Sequence, residues 1–177
     1  MTEKELIKQC KRGKPRAQRE LYKRFAPVLL GVIRRYIREA DDAEDVFVKA
    51  MYKILTKISD FRSEGSFEGW MKRISVNEAL MFLRKRKSMA MTREIGDLQI
   101  SDPQDIEAQI HADEIIELLD ELPPGYRTVF NMYVIEGYKH REIAEELGIS
   151  INTSKSQLIL ARKRLQSLIK KKNSKAI

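Results

Sequence analysis

Between residues 46 and 58 seven apolar side chains recur at a spacing that a helix gathers onto one side. Val46, Phe47, Ala50, Met51, Ile54, Leu55 and Ile58 stand at i, i+1, i+4, i+5, i+8, i+9 and i+12, a broad stripe that belongs in a core. Asp41-Asp42 reads as the N-cap, and Glu44 and Asp45 suit the positive end of the helix dipole. The opposite face offers Asp45, Lys49, Tyr52 and Lys53, either solvated or open to a protein partner.

The same period governs most of the chain. Leu6, Ile7, Cys10, Ala17, Leu21 and Phe25 form a stripe interrupted at Gly13-Lys14-Pro15, and Pro15 suits the first turn of a second helix. Pro27 is expected to bend or restart the helix that carries Val28, Leu29, Val32, Ile33 and Tyr36. Residues 61–66 read as a loop. The helix that follows, 67–87, carries Phe67, Trp70, Met71, Ile74 and Met81 at helical spacing. On its surface Trp70, Arg73, Asn77 and Arg84 fall within roughly 60° of one another, and it ends in Arg84-Lys85-Arg86-Lys87. A stacking ring, an amide and clustered cations are what holding unstacked nucleic-acid bases requires. The competing reading is a structural Trp, a solvent-facing Asn and a basic end that complements the dipole.

Residues 88–105 lose the period and read as an interdomain linker. A C-terminal lobe starts near Ile106 or Glu107 and is broken at Leu122-Pro123-Pro124-Gly125. Tyr126, Val129, Phe130, Tyr133 and Val134 stripe the next helix as far as Gly137. A short helix from about His140 to Leu147 then turns at Gly148, and Ser150 can cap a long helix reaching about Lys170. With small Ala144 at the crossing and Ile149 at the corner, this spacing is that of a helix-turn-helix. Leu158, Ala161, Leu165 and Leu168 face inward. Asn152, Lys155, Ser156, Ile159, Arg162 and Lys163 are left outward, a polar and basic set suited to a major groove. The competing reading is a helical hairpin with a solvated face. The expected fold is all-α: two small helical domains joined by a linker, 1–90 and 107–177 around 91–106, the second a helix-turn-helix.

Charge follows that division. Residues 1–95 hold 23 basic and 13 acidic side chains, residues 96–126 none and 9, and residues 127–177 11 and 4, within a net charge of +8. Two basic lobes around an acidic segment suggest two surfaces that meet a polyanion. Lone Cys10 excludes an internal disulfide, and His111 and His140 stand too far apart for a Cys/His metal site. No run of eighteen apolar residues exists and the N-terminus lacks the apolar stretch of a signal peptide, so a cytoplasmic protein without membrane insertion is expected. A Gly-rich phosphate loop, metal-ligand spacing and a nucleophile–His pair are all missing, so neither an enzyme nor a cofactor is expected.

With both lobes read, the chain resembles the extracytoplasmic-function group of bacterial RNA polymerase sigma factors. The resemblance rests on D-A-E-D-V at 42–46, F-x-x-W-x-x-R-I-x-x-N at 67–77, L-P-P-G-Y-R-x-V-F at 122–130, and the helix-turn-helix with S-K-S-Q-L…A-R-K-R-L. It implies that the helix from Asp42 to Ile58, with Asp42, Asp45, Lys49, Tyr52 and Lys53, docks on core polymerase. It implies that Trp70 to Lys87 opens the minus-ten element on the unpaired non-template strand. There Asn77 lines a pocket for a flipped base, and Arg73, Arg84, Lys85, Arg86 and Lys87 lie along phosphates. Double-stranded minus-thirty-five DNA would be read by the face from Asn152 to Arg162, including Thr153, Lys155, Ser156 and Ile159, with backbone contacts near Arg141. An anti-sigma factor is a further candidate partner.

Three departures stand out. Val48-Lys49 replaces the usual Gln-Glu after the D-V pair. Ser154 stands where an apolar anchor is usual and needs a partner for its hydroxyl. Gln157 and Leu160 replace basic residues, so the upstream motif read is expected to differ. The alternative function is a helix-turn-helix regulator whose N-terminal lobe binds a partner or dimerises, in which case the Trp70–Arg73–Asn77 face would be incidental.

Overall fold

The computed structural model describes residues 1–86 and 117–175, and the chain divides into two compact units, Met1–Arg86 and Lys87–Ile177. Every regular element among the described residues is helical. The linker at 91–106, the start of the second lobe near 107, and Lys87 lie outside the described residues.

In the first unit α1 (Glu3–Lys11) starts at Thr2, whose hydroxyl accepts from the Glu5 N–H at 3.3 Å. It buries Leu6, Ile7 and Cys10, and burial pushes the Cys10 thiol pKa up. Lys11 Nζ donates to the Phe61 carbonyl at 2.7 Å, which fixes the far end of the loop before α4. Gly13 turns the chain with φ +68°, and α2 (Pro15–Arg34) begins on Pro15 as its spacing predicts.

Pro27 does not restart the helix: α2 runs unbroken through it over 20 residues. The face Ala17, Leu21, Phe25, Leu29, Val32 and Ile33 is buried on both sides of Pro27, while Pro27 itself is exposed. The hydrogen bond it cannot donate is therefore lost on the solvent side, where the freed carbonyl is open to water. Val28, next in the expected stripe, is exposed, and buried Tyr36 lies just beyond the helix end.

The expected cap of α3 moves outward by two residues. The helix runs Ala40–Lys57 with Glu39 at the N-cap position and no side-chain cap bond. Asp41 and Asp42 occupy the first turn instead, and the Asp42 carboxylate accepts from Arg86 at 2.5 Å. Its core stripe is as spaced except at Leu55, which is half-buried: Val46, Phe47, Ala50, Met51 and Ile54 are buried, and Ile58 is buried in the 3-10 turn Ile58–Asp60.

Ser66 caps α4 (Phe67–Lys85), accepting from the Gly69 N–H at 3.1 Å. The buried face is Phe67, Met71, Ser75, Val76, Ala79, Leu80 and Leu83. Met81, expected inside, is 42% exposed, since at about 100° per residue it falls on the side of the helix away from the centre of that buried face. Helices α3 and α4 pack together and against α2. Phe61, Phe67 and Trp70 form an aromatic cluster with centroids 5.1–5.8 Å apart, and Phe25 joins at its edge.

The second unit opens, among the described residues, on buried Leu118, Leu119 and Leu122. Pro124 starts α5 (Pro124–Phe130), which passes into a π turn, Asn131–Ile135, closed by the Glu136 N–H on the Asn131 carbonyl at 2.9 Å. That wider turn overturns the expected stripe. Val129 and Phe130 are buried, but Asn131 and Met132 take the next inward places, and Tyr133, Val134 and Ile135 are exposed. One extra residue in the turn shifts every later side chain around the axis. Helices α6 (His140–Leu147) and α7 (Ile151–Lys175) complete the unit, α7 packing on α5 and α6.

Candidate nucleic-acid interfaces

On α4 the four expected side chains occupy graded positions. Trp70 is half-buried and lies nearly parallel to Phe67, with the planes 13° apart, so its ring is held from beneath. Arg73, Arg84 and Lys85 are exposed. Asn77 is half-buried, and its Oδ1 is buried without a hydrogen-bond partner among the described residues. A buried amide oxygen left unpaired costs about 1–3 kcal/mol, a cost that a ligand N–H arriving there removes.

Arg86 is less available than its place in the basic run suggests. It bonds Asp42, lies 3.8 Å from Glu39, and its guanidinium stands over the Phe82 ring. The pair joins a candidate docking residue to a candidate strand-binding residue, 44 positions apart, and no local sequence signal announces it.

Of the remaining candidate docking residues, Asp45 and Lys49 are exposed and Tyr52 is 71% exposed. Lys53 differs: its Nζ lies 2.6 Å from Glu78 on α4, whose side chain is only 12% exposed. Sequence spacing missed the apolar character of this surface. Val48 and Tyr52, one turn apart, are among the most exposed large hydrophobics, and Tyr22 of α2 is also exposed, edge-on to Phe47.

The helix-turn-helix has the expected local chemistry. Gly148 adopts φ +66°, the Ile149 N–H closes on the Ala144 carbonyl at 3.1 Å, and Ser150 Oγ accepts from the Thr153 N–H at 2.9 Å. Leu158, Ala161, Leu165 and Leu168 are buried. Asn152, Lys155, Arg162 and Lys163 are exposed, while Thr153, Ser156 and Ile159 are half-buried. The Ser156 hydroxyl donates to the Asn152 and Thr153 carbonyls at 3.0 and 3.1 Å, so toward a base it acts as an acceptor. Arg141 is exposed and pairs loosely with Glu145 at 3.6 Å.

Two departures resolve differently. The hydroxyl of fully buried Ser154 finds its partner in His140 Nδ1 at 2.8 Å. Gln157 is only 3% exposed and packs against Gly125, where a Cβ would come 3.0 Å from its Oε1. The Gln157 side chain is therefore turned toward α5 and not outward with the face of Asn152, Lys155 and Arg162. Among the described residues no three His, Cys, Asp or Glu side chains converge as metal ligands, and no helix is long and apolar enough to cross a membrane.

A helix face with Trp70, Arg73 and Asn77 in one unit and a helix-turn-helix in the other make a two-module candidate nucleic-acid binder, and comparisons give it a family. The sequence profile of Sigma-70 region 2 matches residues 21–89, and that of Sigma-70 region 4 matches residues 112–165. The RNA polymerase sigma factor SigV of Bacillus subtilis is 30% identical over 78% of this chain and 82% of its own. The ECF RNA polymerase sigma-E factor of Haemophilus influenzae is 22% identical over 96% of both. A solved sigma factor RpoE from Bartonella quintana, in complex with the anti-sigma factor NepR, shares the fold. Its TM-score is 0.54 at 23% identity, over 86% of this chain and 96% of that one. The chain belongs to the extracytoplasmic-function group of RNA polymerase sigma factors. Because the relatives match both units, the reading as a helix-turn-helix regulator whose N-terminal lobe binds a partner or dimerises is disfavoured.

Proposed function

We propose that this sigma factor carries core RNA polymerase to specific promoters and opens their minus-ten element. One observation carries the reading: a single chain combines a region-2 unit, with Trp70, Arg73 and Asn77 on one helix face, and a region-4 helix-turn-helix with a basic outer face. The proposed domains are 1–90, linker 91–106 and 107–177. Asp42, Asp45, Lys49, Tyr52 and Lys53 are assigned to polymerase docking, with exposed Val48 added between them. A flipped base stacks near Trp70 and meets Asn77 Oδ1 with an exocyclic N–H. Arg73, Arg84, Lys85, Arg86 and Lys87 hold the strand's phosphates, Arg86 after leaving Asp42.

Upstream, Asn152, Thr153, Lys155, Ser156, Ile159 and Arg162 enter the major groove of the minus-thirty-five element and Arg141 meets its backbone. Sequence discrimination then needs both modules, because neither makes many contacts alone. Work of this kind places the protein in the cytoplasm with its polymerase, acting as an initiation factor and not an enzyme. An anti-sigma factor is the antagonist this reading leads us to expect.

The test is run-off transcription by core polymerase on a promoter library, with permanganate probing of unpaired thymines. Transcripts and melted positions that depend on the added chain support the reading. DNA binding by the chain without melting or initiation would overturn it.

A further inference from the structure

The helix-turn-helix opens on a histidine that the DNA-reading assignment leaves unused. His140 is the half-buried first residue of α6. Its Nδ1 is held 2.8 Å from the buried Ser154 hydroxyl of α7, and the Tyr133 ring of the π turn stacks on it with centroids 4.4 Å apart. Contacts to two elements therefore fix the ring. Lys155 and Arg162 of α7 face it closely enough that their charges, added to the larger effect of burial, hold its pKa below the ordinary value. On its own segment Glu142 accepts the Lys139 N–H at 2.8 Å and Arg141 lies 3.6 Å from Glu145. Lys139 is exposed.

A ring tied at Nδ1 has Nε2 left for a ligand. The serine hydroxyl can either donate or accept, so Ser154 permits both neutral tautomers. A phosphodiester oxygen only accepts, so it selects the form with hydrogen on Nε2. We propose that His140 is a ligand for a DNA backbone phosphate at the upstream element: Ser154 and Tyr133 fix the ring, Nε2 donates to the phosphate, and Lys155 and Arg162 share its charge. The proposal rests on the reading of α7 as the minus-thirty-five reader.

A proton linkage follows. In the free protein two neighbouring cations oppose protonation of the ring. A bound phosphate offsets them and favours imidazolium, so binding takes up a proton and affinity rises as pH falls. At the lower pH the added cation also releases a further counterion, which steepens the salt dependence by about 0.9 in log–log slope.

The experiment measures binding of the holoenzyme, this chain with core polymerase, to a duplex cut from a transcribed promoter and ending upstream of the melted segment. Anisotropy is followed against salt at pH 7.5 and 6.0. The wild type should bind about threefold or more tightly at the lower pH, with the steeper slope. His140→Asn can place an amide near the position of Nδ1 and keep Ser154 bonded, but it cannot reach the place of Nε2. It should bind about fivefold less tightly at pH 7.5, the size of one lost hydrogen bond, and lose the pH response. His140→Gln, which reaches the place of Nε2 without the Ser154 bond, should recover part of the affinity and none of the pH response. Wild-type affinity and pH response in His140→Asn would overturn the proposal, while Lys155→Ala serves as the reference. If Lys155→Ala weakens binding and His140→Asn does not, only the phosphate ligand falls. If Lys155→Ala has no effect either, the DNA-reading assignment of α7 falls with it.

Discussion

Lys53 is assigned to polymerase docking, yet its ammonium lies 2.6 Å from the Glu78 carboxylate, and one substitution series separates the two roles. Lys53→Met leaves Glu78, 12% exposed, without its counter-charge in the α3–α4 interface. Removing one partner of a fully buried pair costs about 3–5 kcal/mol. Here the Lys53 side chain is 38% exposed, so solvent screens the loss, and about 2 kcal/mol is the reasonable figure. Trp70 is the single tryptophan and sits in the first unit, so its fluorescence during urea unfolding reports that unit without the other. At a slope of about 1 kcal/mol per molar, near the low end for small units, the midpoint should fall by about 1–2 M. The double variant Lys53→Met with Glu78→Met removes both charges and should regain most of that loss, since an apolar pair of similar volume leaves no stranded ion. Core polymerase assembly is then measured on the double variant. Wild-type assembly assigns Lys53 to packing, and a persistent defect assigns it to docking as well. A midpoint unchanged in Lys53→Met, or a double variant as unstable as the single, would refute the energetic reasoning.

Three further outcomes are expected. Asn77→Ala should lower promoter opening by about tenfold, the value of one hydrogen bond to a buried group, and leave closed-duplex binding intact; permanganate footprints and band shifts with equal losses would remove the pocket role. Lys155→Ala together with Ser156→Ala should lower affinity for upstream duplex by about tenfold or more while transcription from a pre-melted template continues, and an equal fall on that template would contradict the assignment. Folding favours neutral His140, whose folded pKa lies below its ordinary value, so the unfolded chain binds more protons and stability rises with pH between the two pKa values. The second unit should accordingly lose thermal stability as pH drops through the ordinary histidine range, and circular dichroism melts of His140→Asn should lack that component.

The helices were legible in the sequence wherever one rotation per residue held. The α3 stripe and the Ser150–Gly148 corner follow directly from spacing and from what a cap or left-handed turn demands. The expectation failed where geometry changed period: after Phe130 the π turn advances each side chain differently, so a stripe projected through Tyr133 and Val134 came out on the surface. It also missed tertiary partners, as where Arg86 meets the Asp42 carboxylate expected to cap α3. Candidate site residues on one helix could be grouped by angle. Pairs such as Lys53 with Glu78 and His140 with Ser154 lie 25 and 14 residues apart on different helices, and no periodicity within one element encodes them.

The Asp42–Arg86 pair bears on how two surfaces of the first unit communicate. Arg86 is 51% exposed and Asp42 28% exposed at the side chain, and Glu39, at 65%, is more open still. Exposed pairs of this kind contribute about 0–1 kcal/mol, far less than is needed to hold a two-state equilibrium at one end. The contact is thus too weak to lock Arg86 away from DNA in the free protein. It is strong enough to fix where the side chain waits, stacked over Phe82 with its guanidinium beside the first turn of α3. On the docking role proposed above for the first turn of α3, Arg86 would leave Asp42 at low cost toward a strand phosphate. The energetics favour a placed residue that changes partner over an inhibitory clasp, so any tight control of this surface has to come from a partner that covers it.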